Sequence, residues 1–157
     1  MIGDEKKRKR ARYERIITQL GGLFLKCADE GARMATVVSL LHNKMDGFFW
    51  TGFYELGQNR LIVRTYQGPL ACMELKKDTG VCWAAVNSGK TVIVPDVDAF
   101  PGHIACDSRA RSEICVPFRD KTGAITAVLD IDSDKPANFD EVDGEELEKI
   151  LELIVSV

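Results

Sequence analysis

The fold is decided by the stretch Phe48–Tyr54 (FFWTGFY), whose dense aromatic residues favour an extended strand. The next residues, Gly57–Asn59 (GQN), have the composition of a hairpin turn, and Leu61–Tyr66 (LIVRTY) returns as a second strand. These three segments predict an antiparallel sheet at the centre of the chain.

Four further segments extend the predicted sheet. A short edge strand is expected within Leu70–Leu75, and another strand over Thr91–Val94, where Pro95 ends it. The apolar runs Ile114–Phe118 and Ala124–Ile131 predict two more strands joined by a tight turn. The sequence therefore predicts five or six mainly antiparallel strands.

Helical periodicity flanks these strands at both ends of the chain. Apolar residues recur at helical spacing from Tyr13 to Phe24, in Ala32–Leu41 and after Asp140, and Val81–Ser88 predicts a short helix. Gly21 and Gly22, both in the first helix, are expected to weaken or bend it. We predict an α+β fold with the N- and C-terminal helices on one face of the sheet and a ligand pocket under loops on the other.

Length and composition are those of an ordinary globular domain. The chain has 157 residues, 45% of them apolar and 29% charged, which suits one domain over residues 1–157. No apolar run approaches the roughly 20 residues of a membrane span. The first residues contain no apolar signal core, so we expect a cytoplasmic protein with no membrane partner.

The charge distribution is uneven. Residues 1–15 carry seven Lys/Arg and three Asp/Glu, so the remaining chain is acidic within a total charge of −3. The run Lys6–Arg10 (KKRKR) fits either a nuclear-import or nucleic-acid patch or the solvated start of a helix, and residues 1–12 are expected to be disordered or helical. Because an acidic body is a poor partner for phosphate backbones, we expect no nucleic-acid partner.

Five cysteines without a signal peptide argue against a structural disulfide framework. No Cys-x-x-Cys pair occurs, which argues against zinc sites of the finger or ribbon type, and no metal is expected. Cys27 and Cys115 lie within apolar patterns and are expected to be buried and inert. The other three, Cys72, Cys82 and Cys106, lie beside irregular backbone and are candidates for thiol chemistry.

Cys106 lies in a polar stretch, Pro101–Glu113 (PGHIACDSRARSE), that precedes a predicted strand. His103 and Arg109 are positive neighbours that favour a thiolate, whereas Asp107 opposes them, so the balance stays open. Cys82 stands near a predicted helix N-terminus, which also favours a thiolate.

Glu113, Asp130 and Asp132 form a second candidate group. Asp130 and Asp132 are two apart on one strand and therefore face the same side of the sheet. They fit either a strand end that leaves the core or a carboxylate cluster with a function. Such a cluster could bind an ammonium group, or it could supply a proton, since crowded carboxylates raise one another's pKa. Trp50 and Tyr54 also share one face, as pocket wall or as plain core.

Seven motifs together resemble the free methionine-(R)-sulfoxide reductases, which are stand-alone GAF domains. The resemblance covers nearly the whole chain from Tyr13, and the run Phe100–Asp107 is specific because sensory GAF domains lack it. The matching motifs are FWTGFY (49–54), QGPLAC (67–72), GVC (80–82), VPDV (94–97), FPGHIACDS (100–108), RSEI (111–114) and VLDIDS (128–133).

The resemblance implies roles for eight residues and a thiol-dependent reaction. It implies reduction of free methionine-(R)-sulfoxide without metal or organic cofactor, in a protein that is often a homodimer and is recycled by thioredoxin. Glu113 or Asp132 would be the proton donor. The implied nucleophile is Cys106, with Cys72 as resolving and Cys82 as auxiliary cysteine, and the implied substrate pocket comprises Trp50, Tyr54, Glu113, Asp130 and Asp132.

Two features depart from the family pattern: Trp83 follows Cys82 where the family usually has Gly, and the Lys6–Arg10 run is additional. A bulky Trp83 is expected to shift Cys82 or narrow the entrance. The loop Val97–Arg109 is expected to be mobile and to close when substrate or a disulfide is present. A non-enzymatic GAF sensor and a thiol redox switch are the alternative functions.

Overall fold

The computed structural model describes residues 1–103 and 106–157. Within these residues no helix combines the length and the apolar character needed to cross a membrane. The described elements are helices α1 (Ile2–Phe24), α2 (Glu30–Lys44), α3 (Gly80–Ser88) and α4 (Glu141–Ser156), and strands β1 (Trp50–Gly57), β2 (Arg60–Gln67), β3 (Glu74–Leu75), β4 (Val92–Val94), β5 (Ser112–Arg119) and β6 (Ile125–Ser133).

The strands form one sheet in the order β3-β2-β1-β6-β5-β4, and every neighbouring pair is antiparallel. The predicted hairpin between β1 and β2 is confirmed, with a two-residue turn at Gln58 and Asn59. Both residues have positive φ, 51° and 61°. That left-handed conformation matches the twist of the two strands and fixes their register.

The two faces of the sheet bury different sets of side chains. Helices α1, α2 and α4 cover one face, where Phe53, Phe118 and Leu129 belong to the larger core. This confirms the predicted placement of the N- and C-terminal helices on one face. Helix α3 packs on the opposite face, where Trp83 belongs to a second core, and Gly89 (φ 68°) ends it.

The basic N-terminal run is paired with the last helix. Lys9 Nζ lies 2.9 Å from Asp140 Oδ2 and 2.6 Å from Asp143 Oδ2, and Arg10 Nη1 lies 2.5 Å from Glu146 Oε1. Asp143 and Glu146 are buried, so these cations compensate carboxylates that have left water. Part of the run therefore holds α1 against α4, and only its outer residues face solvent.

Helix α1 runs uninterrupted through Gly21 and Gly22, and its buried face continues to Phe24, while the expected weakening or bending stays a prediction. One expectation about this end of the chain is wrong. Cys27 is exposed, not buried. The reason is that α1 ends before it, so Cys27 falls in the connection to α2 and leaves the apolar stripe of the helix.

Candidate active site

A disulfide joins two of the predicted thiols. Cys72 lies in the loop between β2 and β3, and Cys106 lies in the loop before β5. They form a disulfide with a Cα–Cα distance of 5.6 Å. The two loops therefore meet over the sheet, as thiol chemistry between them requires. Within the predicted mobile loop Val97–Arg109, residues 104 and 105 lie outside the described residues, and its mobility stays a prediction.

The Cys72 loop is held by the aromatic side chains of β1. Trp50 Nε1 donates a hydrogen bond to the carbonyl of Pro69 at 3.1 Å, and the Tyr54 hydroxyl donates to the carbonyl of Cys72 at 3.1 Å. The strand and the loop are thus tied at two points, one of them on the disulfide residue itself.

The Cys106 loop is anchored by Arg109. Its guanidinium lies 4.7 Å from the ring centroid of Phe49 and forms two hydrogen bonds to the carboxylate of Asp107, at 2.7 and 3.0 Å. This arginine lowers the pKa of Asp107 to about 2. The guanidinium of Arg109 is therefore paired with Asp107 and packed on Phe49. The opposite charges of Asp107 and Arg109, which both follow Cys106, compensate each other.

Trp50 and Tyr54 form an aromatic wall. Trp50 stacks on Tyr54 with ring centroids 5.8 Å apart, and on Tyr66 at 5.3 Å. The wall depends on Gly52, because a Cβ there would overlap both the Trp50 ring and the Tyr66 side chain. Because Gly52 has no side chain, the indole of Trp50 can lie flat over β1.

The predicted carboxylates face one another across β5 and β6. Glu113 is paired with Asp132, and Cys115 with Asp130, in the antiparallel register. Asp132 is also paired with Trp50 of β1. The register therefore places all three carboxyl groups and the aromatic wall on one face.

Burial raises the pKa of every member of this cluster. The pKa of Glu113 rises to about 8 through burial and then through the charge of Asp132. Burial also raises the pKa of Asp130 and of Asp132 well above the ordinary range. The charge of Glu113 raises the pKa of Asp130 further, and the charge of Asp130 does the same for Asp132. Nε2 of His103 lies 3.4 Å from Oε2 of Glu113, and burial lowers the pKa of this histidine. At neutral pH the cluster can therefore hold protons.

Two of the cysteines differ from their predicted environments. Cys82 stands in the first turn of α3, but burial raises the pKa of its thiol well above the ordinary value, and this outweighs the helix N-terminus. Cys115 is buried as predicted, yet its surroundings are polar. Its Sγ lies 3.5 Å from Cys82 Sγ and 3.4 Å from oxygens of Glu113 and Asp130.

The predicted site residues converge on one cavity of about 50 Å³, enough for a few water molecules. Cys72 is not among the described lining residues, but the disulfide joins it to Cys106, which lines the cavity. Trp83 is buried in the second core and is not among the described residues that line the cavity, and its expected effect on Cys82 and the entrance stays a prediction. The lining includes Cys106, Cys82, Trp50, Tyr54, Glu113, Asp130 and Asp132.

Sequence reasoning missed two contributors to this site. Phe49 lines the cavity beneath Arg109. Its position beside Trp50 in the matching motif FWTGFY could have identified it as a site residue. Cys115 touches two of the predicted carboxylates. Its spacing of two residues from Glu113 on one strand would have placed it on the same face.

A sheet flanked by terminal helices on one face and carrying a loop-covered cavity on the other defines a GAF domain. The model of the GAF domain family matches residues 27–157. The chain is 44% identical to GAF domain-containing protein A of Dictyostelium discoideum, covering 93% of this chain and 92% of that protein.

Two further relatives narrow the class. The chain is 36% identical to the free methionine-R-sulfoxide reductase of Escherichia coli, over 76% of this chain and 72% of that protein. The structure of the Neisseria meningitidis free methionine-R-sulfoxide reductase in complex with its substrate superimposes with a TM-score of 0.87 at 38% identity, covering 93% and 87% of the two chains. The chain belongs to the free methionine-R-sulfoxide reductase family of GAF-domain proteins.

Proposed function

We propose that the protein reduces free methionine-(R)-sulfoxide to methionine, with Cys106 as the nucleophile and Cys72 as the resolving thiol. One observation carries the proposal: the Cys72–Cys106 disulfide stands at a cavity that also contains an aromatic wall and buried carboxyl groups. The names of the relatives at 36% and 38% identity support the substrate.

The cavity suits the chemistry of this small zwitterion. The rings of Trp50 and Tyr54 provide an apolar surface for the methyl group, and Asp130 and Asp132 provide carboxyl oxygens for the ammonium group. In the disulfide form the two cysteine loops are joined at the cavity, so we expect substrate to enter once the bond is reduced.

The first step transfers oxygen from substrate to enzyme. The Cys106 thiolate attacks the sulfoxide sulfur while a neighbouring acid protonates the sulfoxide oxygen. The hydroxyl group then passes to the Cys106 sulfur, as the sulfur–oxygen bond of the substrate and the transient bond between the two sulfur atoms break and an electron pair returns to the substrate sulfur. Methionine and a Cys106 sulfenic acid are the products. Glu113 and Asp132 both line the cavity with Cys106, and burial raises the pKa of both. We assign the acid role to Glu113, because its pKa of about 8 lies close to neutral pH, where a general acid both holds its proton and gives it up readily.

The second step closes the disulfide. The Cys72 thiolate attacks the Cys106 sulfur, a sulfur–sulfur bond forms, and the oxygen leaves as water. The two thiols thereby supply the two electrons that reduce the sulfoxide. Cys82 is the auxiliary thiol in this proposal, since it lines the same cavity.

Regeneration requires an external dithiol, for which we propose thioredoxin. The disulfide is accessible at Cys106, and the Cys72 loop exposes Leu70 and Met73, at 86% and 78% of their surface. Exposed apolar side chains beside a disulfide suit a protein reductant that must contact the bond it attacks.

The assembly and compartment are further parts of the proposal. The family resemblance supports one GAF domain over residues 1–157, a homodimer and a cytoplasmic location. Light scattering of the purified chain tests the dimer, and a monomer at micromolar concentration would contradict it.

The decisive experiment measures methionine release from the R and S isomers of free and peptide-bound methionine sulfoxide. We expect strict preference for the free R isomer, with activity lost in Cys106→Ser and retained in the matched control Cys27→Ser. Equal rates with peptide-bound substrate, or wild-type turnover of Cys106→Ser, would contradict the proposal. Peroxide-driven disulfide formation with no sulfoxide turnover would instead favour a redox switch.

A further inference from the structure

Four buried side chains meet below the cavity, from three elements of the fold. They are Cys82 of α3, Glu113 and Cys115 of β5, and Asp130 of β6. One ligand atom from each lies within 4.8 Å of the other three. Two thiols and two carboxyl groups thus share one small volume, although no two of the four are adjacent in sequence.

Three of the six distances among these atoms match the edges of a zinc coordination tetrahedron. Zinc bonds of about 2.3 Å to sulfur and about 2.0 Å to oxygen give ligand–ligand edges of roughly 3.3–3.8 Å. The Sγ atoms of Cys82 and Cys115 are 3.5 Å apart, and Cys115 Sγ lies 3.4 Å from Glu113 Oε1 and 3.4 Å from Asp130 Oδ1. The other three distances are at most 4.8 Å, so small shifts of these side chains would complete a zinc site.

We propose that Cys82, Glu113, Cys115 and Asp130 form a binding site for Zn²⁺, with two thiolate and two carboxylate ligands. The donor set favours this ion, since thiolates select zinc over Mg²⁺ and Ca²⁺ and four ligands satisfy its tetrahedral preference. The missing Cys-x-x-Cys spacing does not bear on this site, because the sheet register and α3 bring the ligands together.

The cavity provides a path for the ion. Cys82, Glu113 and Asp130 all line it, whereas Cys115 lies behind them as the deepest ligand. Zinc binding releases the protons of its ligands, and the dication then offsets two of the four negative charges that the two thiolates and two carboxylates carry. The aromatic wall and the disulfide loops then shield the ion from water.

Zinc at this point also has a consequence that rests on the proposed function. The ion would occupy Glu113, the proposed acid, and Asp130, a proposed substrate contact. Zinc and methionine sulfoxide therefore exclude each other. Zinc binding itself does not depend on the reaction and can be measured in protein that turns over no substrate.

The test uses protein in which the Cys72–Cys106 disulfide is intact, so that only Cys27, Cys82 and Cys115 are free thiols. Titration with Co²⁺ is followed by thiolate-to-cobalt charge-transfer absorption, and Zn²⁺ affinity by competition. We expect one ion per chain, with absorption from two thiolates. Cys27→Ser, the matched control, leaves both readouts unchanged.

Variants of the ligands decide the assignment. Loss of an outer-shell partner weakens metal affinity by roughly 10–100-fold, so Cys115→Ser, which removes a direct ligand, should weaken it at least as much. Asp130→Asn provides a second variant that leaves both thiols in place, and circular dichroism shows whether each variant folds. Wild-type affinity in either folded variant, or no thiolate absorption in the parent, would overturn the site.

Discussion

The hydroxyl of Tyr54 donates a hydrogen bond to the backbone carbonyl of Cys72, so the aromatic wall of the cavity holds the residue that forms the disulfide. The contact spans 18 residues of sequence and joins the central strand β1 to the loop before β3. The proposed substrate contact and the disulfide are thereby linked through one side chain.

Tyr54→Phe is expected to slow disulfide formation. A typical hydrogen bond contributes about 1 kcal/mol, which corresponds to a roughly fivefold smaller population of the aligned Cys72 loop. Single-turnover experiments with free methionine-(R)-sulfoxide would show slower loss of the Cys106 sulfenic acid, detected with a dimedone probe. Tyr66→Phe, at the other ring stacked on Trp50, serves as the control and should close the disulfide at the parental rate.

Glu113 gives the enzyme a predicted alkaline limit. Its pKa of about 8 means that the proposed proton donor loses its proton above that pH, so methionine release should fall there. Glu113→Gln should lower the rate and remove that alkaline limb. A limb that persists unchanged in this variant would assign the proton donor elsewhere, with Asp132 as the next candidate.

The same carboxyl group links stability to pH. Its pKa is raised from 4.5 to about 8, so between these values the folded chain binds more protons than the unfolded chain. The free energy of unfolding contributed by Glu113 therefore falls as pH rises through this window, by up to about 1.4 kcal/mol per pH unit. Urea unfolding at several pH values should show a flatter dependence in Glu113→Gln. The exposed Glu152→Gln should behave like the parent.

Lys9→Met should destabilise the contact between α1 and α4. Burial raises the pKa of Asp143 and Lys9 lowers it, so removing the ammonium leaves a buried carboxyl group without its cation. We expect a loss of about 1–3 kcal/mol in the free energy of unfolding, measured by urea denaturation. Lys7→Met, at an exposed position of the same run, should change stability by less than about 0.5 kcal/mol.

Trp83→Ala should be strongly destabilising. The side chain is buried in the second core, and its Nε1 finds no acceptor among the described residues, so its contribution is packing. Truncation of a buried tryptophan costs about 3–5 kcal/mol. Thermal and urea unfolding would measure the loss, with the exposed Leu25→Ala as the near-neutral control. A loss below about 1 kcal/mol would show that the helix α3 packs without this ring.

The strands and their hairpin turn were accessible from sequence because strand and turn signals are local, whereas the strand order was not predicted. The aromatic run before Gln58 and Asn59 predicted the hairpin, and spacing by two residues placed Asp130 and Asp132 on one face. Cys72 and Cys106, by contrast, are separated by 34 residues and were paired only through the family resemblance. Spacing alone could not have decided whether Cys72 or Cys82 is the disulfide partner of Cys106.

Contacts that depend on tertiary packing escaped prediction. Lys9 and Asp143 lie at opposite ends of the chain, and only the packing of α1 on α4 brings them together. The Sγ atoms of Cys82 and Cys115 meet because α3 lies across β5, which a one-dimensional pattern does not encode. Burial then changes their chemistry, since the raised pKa of Cys82 reverses the expectation from its helix position.

The disulfide between Cys72 and Cys106 has a kinetic consequence for the proposed reaction. The sulfur that would attack the next sulfoxide is already bonded to Cys72, so oxidised enzyme cannot begin another turnover. Reductant must therefore act between one sulfoxide and the next. Initial rates measured against sulfoxide at several reductant concentrations should give parallel double-reciprocal lines, the pattern of a ping-pong enzyme.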